Sequence, residues 1–132
     1  MKLTPHPGPF QAPLGERGER AACGFLKERG YEILEKNYKC KIGEIDVIAR
    51  RQGRLAFIEI KTRTSTQFGT PQEAVNLPKQ EKIFKVAQWY MKEKKLVKIP
   101  VAFDVVAVLW REGEAPEMRL IVDAFEKEDK PY

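Results

Sequence analysis

Apolar residues in this chain recur with two periods, and the changes between them mark out the elements. Over 14–29, Leu14, Ala21, Ala22, Phe25 and Leu26 fall at helical spacing and Gly30 ends the pattern, which predicts a first helix. Residues 31–38, YEILEKNY, predict a first strand with Ile33 and Tyr31 facing inward. GEIDVIAR at 43–50 sets Ile45, Val47 and Ala49 against Glu44, Asp46 and Ile48. RLAFIEIKT at 54–62 likewise sets Ala56, Ile58 and Ile60 against Phe57, Glu59 and Lys61. Period two at both places predicts strands. The Arg51-Gln52-Gly53 between them is short enough for a tight antiparallel turn, with glycine free to take positive φ.

A Thr-rich passage ending in Phe68-Gly69-Thr70-Pro71 reads as a loop, after which Pro71 and Gln72 open a short helical turn running to Val75. From about Pro78 a longer helix is predicted, with Ile83, Phe84, Ala87, Tyr90 and Met91 as its buried stripe and Lys79, Lys82, Lys85 and Lys92 on the outer positions and flanks. Residues 101–110 are the most hydrophobic stretch and predict a central strand; a turn at 112–116 returns the chain as a last strand over 117–123. The order is helix, three strands, helix, two strands, which is an α/β chain.

With 132 residues there is room for one domain and one core. The expected division is an irregular arm over 1–13, rich in proline, one domain over 14–126 and a frayed tail over 127–132. The run at 101–110 is half the length needed to cross a bilayer and Asp104 interrupts it, so no membrane span is expected. The N-terminus lacks the apolar segment of a secretory signal, and Cys23 and Cys40 show no metal or disulfide spacing; the expectation is a cytoplasmic protein with free thiols. The net charge of +5 is unevenly spread, because 79–98 holds seven lysines against Glu81 and Glu93. Either a polyanionic partner or a solvated lysine face accounts for that concentration.

The hairpin carries the candidate chemistry. If it is symmetric about the Gln52 region, Asp46 faces Glu59, Glu44 faces Lys61, and all four share one face. Opposed carboxylates repel unless a cation offsets them, and a divalent metal is the simplest one: Mg²⁺ or Mn²⁺ bound by Asp46, Glu59 and the backbone carbonyl of Ile60. Lys61, two residues after Glu59, is then placed to hydrogen-bond the attacking water and to meet charge growing on a phosphate. Spacing alone leaves equal room for an ordinary wet sheet face in which Lys61 pairs with Glu44. Polar residues set amid Phe57 and Ile48 favour a pocket, since helices must cover part of so small a sheet. Glu19 lies on or beside the buried stripe of the first helix and wants a partner: a second metal, a metal-bound water, Lys61, or a nearby arginine. Gly15 and Gly18 before it suit a close backbone approach.

GERGE at 15–19, NYKCKIGEIDVIA at 37–49, FIEIKTR at 57–63, Phe68-Gly69, the Lys79-Gln80 helix start and FDVV at 103–106 resemble the YraN family, bacterial proteins predicted to carry a restriction-endonuclease-like core. The resemblance spans about residues 14–110 and implies a central mixed β-sheet flanked by helices, in the order α-β-β-β-α-β-β. In the wider PD-(D/E)xK superfamily an acid on one strand precedes a Glu-x-Lys on the next, which here assigns Asp46, Glu59 and Lys61, with Ile45 where the superfamily name has proline. Similarity to archaeal Holliday junction resolvases extends the active site to Glu19 and implies endonucleolytic hydrolysis of DNA, four-way junctions or other branched DNA included, by a homodimer. Arg63 belongs to the same pattern and suits a phosphate clamp, or an ion pair with Glu44 or Glu73. Phe68, Lys79, Lys82 and Lys85 are the further expected nucleic-acid contacts.

Competing accounts are a non-catalytic nucleic-acid-binding module that keeps the basic helix, and an accessory domain docking an acidic protein. His6, the single histidine, has no ligand companions, which argues against histidine-based hydrolysis or a zinc site. Trp89, Tyr90 and Phe84 are expected in the core, and Asp104 is expected to accept backbone hydrogen bonds.

Overall fold

A computed structural model describes residues 12–65 and 75–127. Its elements are α1 (Leu14–Glu28), β1 (Glu32–Lys39), β2 (Glu44–Arg51), β3 (Arg54–Arg63), α2 (Leu77–Glu93), β4 (Val101–Leu109) and β5 (Glu117–Ile121). The strands form one sheet in the order β1-β2-β3-β4-β5, antiparallel except for the parallel β3–β4 pair. A parallel neighbour cannot be reached by a tight turn, and α2 lies in the crossover between them. The result is an α/β fold with a mixed sheet between two helices, a restriction-endonuclease-like topology.

The helices cover opposite faces. Ile83, Phe84, Val86, Ala87, Tyr90 and Met91 of α2 pack with Ile48, Leu55, Phe57, Phe103 and Val105. Ala22, Cys23, Phe25 and Leu26 of α1 pack with Val47, Ala49, Ala56, Ile58, Ile60, Val106 and Val108. Every strand residue from Leu55 to Ile60 is buried, because β3 is covered on both faces and paired on both edges. β3 therefore takes the centre expected for the strand over 101–110. β4 is interior beside it and ends at Leu109, and the last strand stops at Ile121 rather than residue 123.

Gln52 and Gly53 both take positive φ, 52° and 78°, as a two-residue hairpin turn requires. From that turn β2 and β3 pair in the expected register, from Arg51 opposite Arg54 to Val47 opposite Ile58. One departure lies in β1. Asn37 takes a φ of 52° in the position opposite Asp46. A left-handed residue breaks the alternation of a strand, and beyond it Tyr38 and Ile45 pack on the α2 side, although the pattern puts Ile45 with Val47 and Ala49.

Other expectations are met or corrected by burial. Asp104, 1% exposed, accepts the backbone N–H of Asp123 at 2.9 Å and the Tyr31 hydroxyl at 3.0 Å. Cys23 and Cys40 are free thiols. Trp89 is not in the core: it is 37% exposed, with the Lys41 ammonium 5.4 Å from its ring, because the period that buries Phe84 and Tyr90 turns it outward. Among the described residues no helix is long and apolar enough to cross a membrane. The arm to residue 11, the loop and turn over 66–74 with Phe68 and Glu73, and the end of the tail lie outside the described residues.

Candidate functional site

At the end of the hairpin away from its turn, β2 and β3 part. The last backbone rung joins Val47 and Ile58, and at the next the side chains take over. The Ile60 N–H donates to Asp46 Oδ2 at 2.8 Å, and the Asp46 N–H donates to Glu59 Oε2 at 3.4 Å. Each carboxylate thus accepts from the opposite strand's backbone, while Asp46 also lines a cavity on the α1 side and Glu59 meets α2. The symmetric-hairpin expectation of side chains standing together on one face is corrected to this arrangement. Glu44 does not face Lys61 either. It pairs across β1 with Lys39, and no ion pair joins it to Lys61 among the described residues. Both backbone groups of a strand residue project to the same edge, so the Ile60 carbonyl looks into the gap that its N–H enters.

Burial makes these acids reluctant to ionise. Glu59 is 2% exposed, and desolvation followed by the neighbouring Asp46 charge pushes its pKa up to about 7, against the opposing pull of Lys79, the Asp46 N–H and Lys61. Desolvation also raises Asp46, opposed by the Ile60 N–H and by Lys79 and Lys61. The two are close enough that their protons are shared property of the pair.

Two further elements complete the surroundings. Glu19 of α1 is half-buried; its pKa is raised by desolvation, then by Asp46 and Glu44, while a hydrogen bond with the Asn37 side chain works the other way. Glu19 and Asp46 line one cavity of about 150 Å³ with Glu16, Arg20, Cys23, Lys36, Asn37 and Val47. Gly18 explains how α1 comes so near: a Cβ there would overlap the Thr62 hydroxyl of β3. Gly15 has no such neighbour. On the other side, α2 begins at an Asn76 cap whose side chain accepts the Lys79 N–H at 3.0 Å. That turn delivers the Lys79 ammonium to 3.5 Å from Glu59 Oε1.

Asp46, Glu59, Lys61 and Glu19 are therefore brought into one electrostatic neighbourhood, with Ile60 between them. Lys82 and Lys85 lie exposed along α2, and Arg63 closes β3, where its carbonyl accepts the Trp110 N–H. Lys79, expected only as a nucleic-acid contact, and Asn37 are the residues sequence reasoning did not place beside the acids. An asparagine inside a strand pattern is the local signal for the second, since it tolerates a left-handed backbone; a lysine in a first helical turn gives no such signal. Among the described residues no group of three or more His, Cys, Asp or Glu gathers as a metal-binding set. The side-chain offer of the fork is two carboxylates.

Comparison with known proteins adds the lineage. A family model described as "Uncharacterised protein family UPF0102" matches residues 18–108. The chain belongs to the UPF0102 family. It is 42% identical over 118 residues to a UPF0102 protein of Clostridium kluyveri, covering 89% of this chain and 97% of that one. With a UPF0102 protein of Geotalea uraniireducens it shares 46% over 113 residues, 86% of this chain and 89% of the relative. The matched segment runs from Gly18 to Val108 and so contains Asp46, Glu59, Lys61 and Lys79. Membership of UPF0102, the family expected under the name YraN, and the topology together give a chain that resembles PD-(D/E)xK-like nucleases.

Proposed function

We propose that this UPF0102 protein is a divalent-metal-dependent endonuclease acting on DNA, with its centre at the fork between β2 and β3. The observation that carries the proposal is the pair of carboxylates, Asp46 and Glu59, held by the opposite strand's N–H groups. Those bonds use one oxygen of each acid, and with the Ile60 carbonyl they leave a set of hard oxygen donors that fits Mg²⁺ or Mn²⁺. Bound there, the ion supplies Lewis-acid stabilisation of a phosphate and a more acidic water.

The chain's own residues do the rest. The Ile60 N–H fixes the Asp46 carboxylate, so the donor set is preorganised before any substrate arrives. Lys61, on the same strand face as Glu59, orients the attacking water and meets the charge that develops on the phosphate. Glu19, across the cavity from Asp46, orients a water on the α1 side. Arg63, Lys82 and Lys85 hold the backbone of the nucleic acid, and branched DNA is the first substrate class to test because the resemblance to junction resolvases points to it.

The test is a cleavage panel of duplex, single-stranded, flap and four-way junction DNA with and without Mg²⁺, on the wild type and Asp46→Ala. Cutting of at least one substrate that needs the ion and falls by a factor of about 100 or more in the variant supports the proposal. Metal-independent cutting, or equal cutting by the variant, contradicts it. Binding of every substrate with no cutting under any divalent ion would leave a non-catalytic nucleic-acid-binding module.

A further inference from the structure

Glu59 has two carboxylate oxygens and two different partners. Oε2 takes the Asp46 N–H, while Oε1, the oxygen left for an external cation, is taken by the Lys79 ammonium. The two side chains of this ion pair live in different surroundings: Glu59 is 3% exposed and Lys79 is 42% exposed. The contact is also long. Its 3.5 Å exceeds the usual separation of a charge-assisted hydrogen bond, roughly 2.7–2.9 Å, so it neutralises charge without a tight directional bond. The Lys79 backbone, by contrast, is fixed by the Asn76 cap, which leaves the flexible stem free to swing while its root stays in place.

We infer that Lys79 is an exchangeable counter-ion, which offsets the Glu59 charge when no divalent cation is bound and yields Oε1 when one binds. The inference rests on the proposed metal centre for the place of the ion, and on nothing about cleavage. An isolated buried carboxylate pair is costly, and an ammonium supplied by the chain lets the fork keep its shape without metal. The same ammonium then competes with the ion for one oxygen.

The experiment uses the full chain and Mn²⁺ alone, followed by calorimetry and thermal unfolding. Lys79→Met binds Mn²⁺ up to about five-fold more tightly than the wild type. Its melting temperature is lower without metal, and the deficit closes at saturating Mn²⁺. Lys85→Met makes the same charge change on an exposed part of α2 and leaves the affinity at the wild-type value. In the wild type, the side-chain ammonium resonance of Lys79 moves to the position of a solvated lysine when Mg²⁺ is added. A wild type that binds Mn²⁺ at the fork while Lys79→Met binds no more tightly, or no more tightly than Lys85→Met, overturns the exchange and leaves the metal centre standing. An unmoved Lys79 resonance overturns it too, and does so without needing a folded variant. Absence of Mn²⁺ binding at the fork in the wild type overturns the metal centre and the exchange with it.

Discussion

At the scale of single residues, the acids of the fork are held in a state that ordinary surface carboxylates do not share. Burial, and then the Asp46 charge, push the Glu59 pKa up to about 7 against the pull of Lys79, the Asp46 N–H and Lys61. A folded-state pKa above the unfolded one means that the native protein binds more protons than the unfolded chain between the ordinary glutamate range and about 7. Stability of the metal-free protein therefore falls as pH rises through that window. Melting temperatures between pH 5 and 7.5 check this, and the share owed to Glu59 is the part that disappears in Glu59→Gln. A slope identical in the two proteins would show that Glu59 ionises normally. Added Mg²⁺ restores the loss at pH 7.5, since the ion compensates the charge that burial opposes.

At the scale of elements, the site depends on how closely α1 sits on β3. Alanine in an exposed helix is favoured over glycine by about 1 kcal/mol, so Gly18→Ala would stabilise a helix with open space around it. Here the new methyl overlaps the Thr62 hydroxyl, and overpacking of this kind costs about 1–3 kcal/mol. The net effect is a lower melting temperature together with displacement of Glu19 from Asp46, and Thr62→Ala in the same chain recovers part of the loss. Equal destabilisation by Gly18→Ala in the wild-type and Thr62→Ala backgrounds would show that this contact does not set the spacing. The elements themselves were legible in the chain: period two gave both strands of the hairpin, and the Gln52-Gly53 turn gave their register over five rungs. The end of that ladder was not legible. Periodicity assumes that pairing continues, and nothing in Asp46 or Glu59 as residue types says that their carboxylates replace backbone carbonyls as acceptors. Ile45 was misplaced for a related reason, since the alternation of β2 breaks at Asp46, opposite the left-handed Asn37, and Ile45 packs on the α2 side. Trp89 was misplaced because aromatic size suggested burial where the helical period turns the residue outward.

At the scale of the molecule, the exposed lysines of α2 continue from the Lys79 end at the fork, on the face opposite the α1-side cavity that Glu19 and Asp46 line. If Lys82 and Lys85 each neutralise one phosphate, changing both to glutamine makes the plot of log affinity against log salt shallower by about 2 units while cleavage under saturating DNA is kept. An unchanged slope would put the nucleic acid on another face. The central claim, that the gap between β2 and β3 is a metal-dependent nuclease centre, is tested most directly by anomalous scattering from crystals soaked in Mn²⁺. The account predicts one strong peak between the Asp46 and Glu59 carboxylates, bonded to an oxygen of each and to the Ile60 carbonyl, and absent in Asp46→Ala. Full occupancy of Mn²⁺ elsewhere on the protein with none in the fork would contradict it.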